Sequence, residues 1–253
     1  MKKVVTIVAV MFVCFMFASQ VVAEQKGHGT HWGYTGQEGP EHWGKIAPEY
    51  AVCANGLTQS PIDIQGALKT NLSPLEVSYK KVPLRIINNG HTIQINFDSG
   101  NTLTIDGKVY ELLQYHFHTP SEHKVGGKAY DGELHLVHKG KDGDLAVIGV
   151  FIEKGQANQT IQTLLDNIPD TVNKERSVRG IMINAADLFP QELGFYRYYG
   201  SLTTPPCSEI VIWTVLKTPI QASEEQLQKL SKVMDKNARP VNPVGRRFIL
   251  ESK

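Results

Sequence analysis

The sequence predicts a mainly β domain with a few helices on its periphery. Three observations support this. Short alternating or β-branched runs recur along the chain. Gly, Pro, Asn and Asp interrupt them at short intervals. Only two stretches carry the apolar stripe of an amphipathic helix. The expected strands are Leu84 to Ile87, Thr92 to Phe97, Thr102 to Ile105, Leu112 to His118, Glu133 to His138, Ala146 to Glu153 and Glu209 to Leu216. Turns between them are marked by Asn88-Asn89-Gly90, Asp98-Ser99-Gly100, Asp106-Gly107 and Lys141-Asp142-Gly143-Asp144. The spacing predicts one helix over Ala157 to Ile168, with Ile161, Leu164, Leu165 and Ile168 on one face. A second is expected over Ser223 to Asp235. It opens with the capping box Ser223-Glu-Glu-Gln226 and carries Leu227, Leu230 and Met234 on one stripe. No repeat, low-complexity tract or linker divides the chain.

The N-terminus reads differently from the rest. Lys2 and Lys3 precede an apolar run from Val4 to Ala18, and Val21-Val22-Ala23 supplies the small residues a signal peptidase reads. Residues 1–23 are therefore expected to be a secretory signal peptide, too short and wrongly flanked for a membrane anchor. Cys14 has no lipobox around it. Cleavage removes Lys2 and Lys3 from the 26 Lys+Arg, leaving 24 against 25 Asp+Glu and a net charge of −1. That balance gives no footprint for nucleic acid, nor for a membrane surface once the signal is gone. The remaining residues, 24–253, suffice for one large core. Their two cysteines, Cys53 and Cys207, read first as one disulfide of an exported, periplasmic or extracellular protein, with two buried thiols as the alternative. Asn71-Leu-Ser73 and Asn158-Gln-Thr160 are glycosylation acceptor patterns, relevant only in a eukaryotic secretory pathway.

The chemistry concentrates in Gln114-Tyr-His116-Phe-His118 and Glu133-Leu-His135-Leu-Val137-His138. On a strand, Gln114, His116 and His118 share one face, and Tyr115 and Phe117 the other. Glu133, His135 and Val137 likewise share a face. If the two strands pair, three imidazoles converge. Three neutral histidines leave a tetrahedral zinc one open position, the catalytic arrangement. A ligating imidazole donates its second N–H to an acceptor, and Gln114 and Glu133 stand two residues from His116 and His135 on the same face. His123 and His138 read as buried hydrogen-bonding residues, and His28, His31 and His42 as surface or rim residues. The spacing His116-x-His118-x3-Glu122 also fits part of a cupin metal motif. However, residue 110 is Tyr where cupins have Gly, and no second cupin motif follows.

A wider set of motifs stands in a familiar order. It runs His31-Trp32-Gly33-Tyr34, Gly39-Pro40-Glu41-His42-Trp43, Gln59-Ser60-Pro61-Ile62-Asp63-Ile64, Asn88-Asn89-Gly90-His91, Gln114 to His118, Ser121-Glu122-His123, Glu133 to His138 and Gly200-Ser-Leu-Thr-Thr-Pro-Pro-Cys207. From about His31 to Arg239 the chain resembles the α-class carbonic anhydrases, especially secreted and bacterial members, in which a pair like Cys53–Cys207 is linked.

The resemblance implies a single catalytic domain over residues 24–253, built on a large, mostly antiparallel twisted sheet with peripheral helices. It implies one zinc per chain on His116, His118 and His135, supported by Gln114, the Asn237 carbonyl and Glu133. It implies reversible hydration of carbon dioxide by zinc-bound hydroxide, with a side activity on activated esters. Thr203 would accept a hydrogen bond from that hydroxide and donate one to Glu122. Val137, Val147, Leu202, Val211 and Trp213 would form the apolar wall for carbon dioxide, with Thr204 beside them. His91 would shuttle protons through water ordered by Tyr34, Asn89, Gln94 and Thr204. Gln94 stands where Asn is common in the best-known members, which affects the water path rather than the reaction. The rival reading is a non-catalytic relative acting as a binding module. Such relatives typically lose a zinc-binding histidine, whereas this chain keeps all three. Homo-oligomerisation is compatible with the sequence.

Overall fold

A computed structural model describes residues 30–253. The expected signal peptide, Cys14 and His28 lie outside the described residues. Fifteen strands and four α-helices form among those described. None of these helices is long and apolar enough to cross a membrane.

Two short helices, α1 (Trp43–Ile46) and α2 (Val52–Asn55), precede strands β1 (Asp63–Ile64), β2 (Leu68–Thr70) and β3 (Glu76–Ser78). The centre follows as β4 (Val82–Asn88), β5 (Ile93–Asn96), β6 (Thr102–Ile105), β7 (Lys108–His118), β8 (Lys124–Val125), β9 (Gly132–Gly140) and β10 (Leu145–Lys154). Helix α3 (Gln159–Leu165) leads to β11 (Arg176–Ile183), β12 (Phe195–Gly200), β13 (Val211–Leu216) and β14 (Ile220–Ala222). Helix α4 (Glu224–Met234) and β15 (Leu250–Ser252) end the chain. Thirteen strands form one sheet, in the order β11-β4-β5-β7-β9-β10-β13-β12-β15-β2, with β3, β6 and β14 attached alongside. Most pairings are antiparallel, as expected. The sheet is nonetheless mixed, because β10 pairs parallel with β13 and β14, and β15 with β2.

All seven expected strands form, and most run longer than the alternation suggests. The last begins at Val211 rather than Glu209. The Glu209 carboxylate is instead turned to the Thr58 N–H (2.6 Å) and the Gln59 amide (2.9 Å). Helix α3 is shorter than its apolar stripe. Asn158 caps it by accepting from Thr160 N and Ile161 N. At the other end Ile168 precedes Pro169, which disfavours helical backbone. Helix α4 keeps the expected capping box between Ser223 and Gln226. The strands that escape the reading are short, or lack alternation. In β11 the register against β4 shifts between Val178 and Met182.

The two faces of the central strands differ. Tyr115, Phe117, Leu134, Leu136 and Ile148 belong to the main core between the sheet and α3 and α4. Val137, Val147, Val211 and Trp213 belong to a second cluster with Ile62, Phe151 and Tyr198. The histidines Gln114–His118 and Glu133–His135 carry lie on this second side. A third cluster joins Trp43, Tyr50, Cys53 and Cys207.

Candidate metal centre

The register of β7 against β9 sets His116 opposite His135 and His118 opposite Glu133. Ring centroids are 5.0 Å apart for His116 and His118, 5.5 Å for His116 and His135, and 4.5 Å for His118 and His135. One nitrogen from each lies within 4.8 Å of the others. Each ring spends its second nitrogen on an oxygen that can only accept. His116 Nδ1 donates to Gln114 Oε1 (2.8 Å), His118 Nδ1 to the Asn237 carbonyl (2.7 Å), and His135 Nε2 to Glu133 Oε1 (2.9 Å). The inward nitrogens are thus His116 Nε2, His118 Nε2 and His135 Nδ1, with their lone pairs free. Burial lowers the pKa of His116 far below the imidazole range, with His118 and His135 adding to it, and burial also lowers His118. Neutral rings are the form a metal needs.

Two buried atoms at this centre have no hydrogen-bond partner: His118 Nε2 and Glu122 Oε2. They face each other at 3.5 Å, and Glu122 Oε2 is 3.8 Å from His135 Nδ1. Buried polar atoms left without a partner are costly. A cation held by the three nitrogens would satisfy His118 Nε2 and place a positive charge beside the carboxylate. The donor set therefore fits a metal ion of the zinc type.

Glu133 is shared. It accepts from the Glu122 and His123 N–H groups (2.9 and 2.8 Å), from His123 Nδ1 (2.7 Å) and from His135. Burial alone would raise its carboxyl, but His123 and His135 outweigh that and hold it well below the carboxylate range. His123 Nε2 meets the Tyr198 hydroxyl at 2.6 Å, so His123 is the buried hydrogen-bonding residue expected. His138 points to the other side of β9, with Nε2 2.6 Å from the Tyr79 hydroxyl, also as expected.

A cavity of about 120 Å³ reaches the centre. It is lined by Gln114, His116, His118 and Gln94 together with Asn89, His91, Thr92, Tyr34, Trp32 and Thr204. Trp32, Tyr34 and His91 also border an outer hollow of about 480 Å³ with His31 and Asp235. A larger hollow, about 840 Å³ between Asp106–Leu113 and Lys139–Asp142, contains no histidine and lies apart from this chemistry. The His91 ring stacks on Trp32, centroids 4.0 Å apart and planes 6° apart. The Asn89 side chain accepts from His91 N and Thr92 N (3.0 and 2.9 Å) and donates to Gln94 Oε1 (3.3 Å). Burial, assisted by Glu122, raises the Tyr34 hydroxyl well above the phenol range, so it stays protonated.

Leu202 packs against the cluster of Val137, Val147, Val211 and Trp213, and the Trp213 ring lies 4.8 Å from that of His135. Thr203 is buried on the adjoining loop. The hydrogen bond from Thr203 to Glu122 that the resemblance implies is not formed, since Glu122 Oε2 has no partner. Glu122 Oε1 instead accepts from the Arg239 N–H at 2.8 Å. The Cys53–Cys207 disulfide is formed, with Cα atoms 5.0 Å apart.

Sequence reasoning missed three contributors. Arg239 anchors Glu122 through its backbone. Gly149 lies opposite His135, where any Cβ would sit 2.9 Å from Glu133 Oε1. A lone Gly inside a strand is the signal that marks such a close approach. Trp32 supplies the ring on which His91 stacks.

The comparisons with known proteins agree. The profile of the family described as eukaryotic-type carbonic anhydrase matches residues 38–253. A carbonic anhydrase of Nostoc is 44% identical over 241 residues, covering 93% of this chain and 91% of the relative. One from Pectobacterium carotovorum is 41% identical over 251 residues, covering 99% of this chain and 100% of its own. The solved structure of the Thermovibrio ammonificans α-carbonic anhydrase, in complex with the inhibitor sulfanilamide, superposes with a TM-score of 0.84 at 44% identity. It covers 89% of this chain and 100% of that one.

Proposed function

The chain belongs to the α-carbonic anhydrase family, and from that premise we propose an exported zinc enzyme that interconverts carbon dioxide and bicarbonate at the three-histidine centre. The observation that carries the metal assignment is the set of three buried imidazoles, each tied through one nitrogen and free at the other. His116, His118 and His135 would hold the zinc. When bound, zinc supplies the Lewis acidity that brings the ionisation of water to about pH 7, the value known for carbonic anhydrases.

The chain's own residues supply the rest. Carbon dioxide is uncharged and a weak acceptor, so the apolar wall of Val137, Val147, Leu202, Val211 and Trp213 suits it. Thr203 and Glu122 are the pair that would orient the attacking oxygen, and Glu122 Oε2 is free to accept a hydrogen bond. Thr204, Tyr34, Asn89 and Gln94 order cavity water toward His91. That imidazole, half-buried between the inner cavity and the outer hollow, takes up the proton and releases it to solvent. Hydrolysis of activated esters is an expected side activity of the same nucleophile. The Cys53–Cys207 disulfide supports an oxidising compartment and, with it, the reading of residues 1–23 as a signal peptide.

The test is zinc content and carbon dioxide hydration by the protein spanning residues 24–253. One zinc per chain with hydration activity is expected, and His118→Ala should lose both. A His118→Ala protein that keeps stoichiometric zinc and full activity would overturn the ligand assignment.

A further inference from the structure

One buried amide joins the metal centre to the segment carrying His91. Asn237 is wholly buried in the segment that follows α4. Its backbone carbonyl accepts from His118 Nδ1 (2.7 Å) and its Oδ1 from the Thr119 N–H (2.8 Å). Its Nδ2 donates to the Phe117 carbonyl (2.8 Å) and to the His91 carbonyl (3.0 Å). The ring of His118 and the peptides on both sides of it are therefore gripped by one residue. The fourth contact crosses to His91, which lies before β5 begins and outside the strand ladder. Only a primary amide offers two donors and one acceptor in one small planar group. Asp at this position would lose the donors, and Ser would lose the reach.

We propose that the Asn237 side chain is a positioning residue that couples the His91 segment to the strand carrying His116 and His118. On this view the relay histidine and the metal ligands keep a fixed relation because both are bonded to the same buried amide. The proposal rests on the reading of His91 as the relay and of the three histidines as ligands.

The experiment combines Asn237→Ser, His91→Ala and the double variant in the zinc-loaded protein. Zinc release to a chelator should be about tenfold or more faster in Asn237→Ser, as for other groups that orient metal ligands. Its kcat in dilute buffer should fall several-fold and recover with added imidazole, while kcat/KM per bound zinc changes little. In the His91→Ala background the imidazole-recoverable loss due to Asn237→Ser should disappear, because the two changes act on one step. A purely structural role predicts equal loss of kcat and kcat/KM without imidazole recovery, and that result overturns the proposal. If His91→Ala itself shows no recoverable loss, the relay reading falls and the proposal with it. If His91→Ala does and Asn237→Ser does not, the proposal alone falls.

Asn237→Asp keeps the side-chain volume and the Oδ1 acceptor, and serves if Asn237→Ser does not fold. The wild-type protein offers a readout without substitution. Removing zinc should speed hydrogen exchange at the His91 and Thr92 amides as well as at Thr119. Unchanged exchange at His91 and Thr92 would overturn the coupling.

Discussion

His91 borders both the inner cavity and the outer hollow and stacks on Trp32, the placement the proposed relay requires. Burial, and then the neighbouring His31, lower its pKa. A relay accepts its proton in the neutral form, and a lowered pKa keeps the ring neutral further into acid. Relay-limited kcat should therefore hold to a lower pH than an ordinary imidazole, titrating at about 6.5, would allow. His91→Ala should lower kcat in dilute buffer, leave kcat/KM nearly intact and respond to added imidazole. Thr203→Ala should instead lower kcat/KM, because it disturbs the orientation of the attacking oxygen before any proton leaves. Steady-state hydration kinetics across pH and buffer concentration separate the two. Equal loss of kcat and kcat/KM in His91→Ala, unrescued by imidazole, would remove the relay assignment.

Strand β9 shows how one element serves two environments. Glu133, His135 and Val137 face the side of the three-histidine cluster, while Leu134, Leu136 and His138 face the main core. His138 is fully buried against Tyr79 and the Ala146 carbonyl, and burial pushes its pKa down to about 4. In the unfolded chain it titrates at about 6.5. As pH falls below that value the unfolded state takes up a proton that the folded state refuses. The contribution is complete above about 6.5 and is lost as pH falls toward 4, a difference of roughly 3 kcal/mol over that window. His138→Gln should flatten the acid branch of stability against pH, whatever it does at neutrality. Urea midpoints of both proteins between pH 7 and pH 4.5 measure this. Parallel curves would show that His138 is not the group responsible.

At the scale of the whole molecule, the loop carrying Thr203 and Thr204 is fastened to the N-terminal segment. Cys207 is bonded to Cys53 of α2, and the Arg239 guanidinium donates to the carbonyls of Cys53 and Ser60 and to Gln59. The disulfide spans a sequence separation of 154. On the chain-entropy account such a loop is worth about 5 kcal/mol, less any strain. Reduction should lower the denaturant midpoint substantially and reduce hydration activity, since it releases the loop that presents Thr203. Peptide mapping without reductant should recover Cys53 and Cys207 in one linked pair. A reduced protein of unchanged stability would show that packing of Trp43, Tyr50 and Arg239 holds this region without the bond.

Local backbone geometry accounts for what could be read from the sequence. Alternation along a strand sends residues i and i+2 to one face whatever the tertiary context. The shared face of Gln114, His116 and His118, the pairing of Glu133 with His135, and the opposite facing of His138 were legible for that reason. So was the capping box at Ser223 and Gln226, a contact within one helical turn. The motif order carried the family, and with it the expectation that the Asn237 carbonyl meets His118, a contact that spacing could not supply and that forms at 2.7 Å. Contacts between distant segments belonged to the tertiary structure. The bond from the Arg239 amide to Glu122 crosses a separation of 117, and the one from Asn237 to His91 crosses 146. The space Gly149 leaves for Glu133 and the stack of His91 on Trp32 are of the same kind. Such contacts depend on which strands become neighbours and in what register, and no local period records that. By itself the sequence determined which histidines share a strand face and which two strands carry them. The fold decided which distant backbone groups and rings hold those histidines in place.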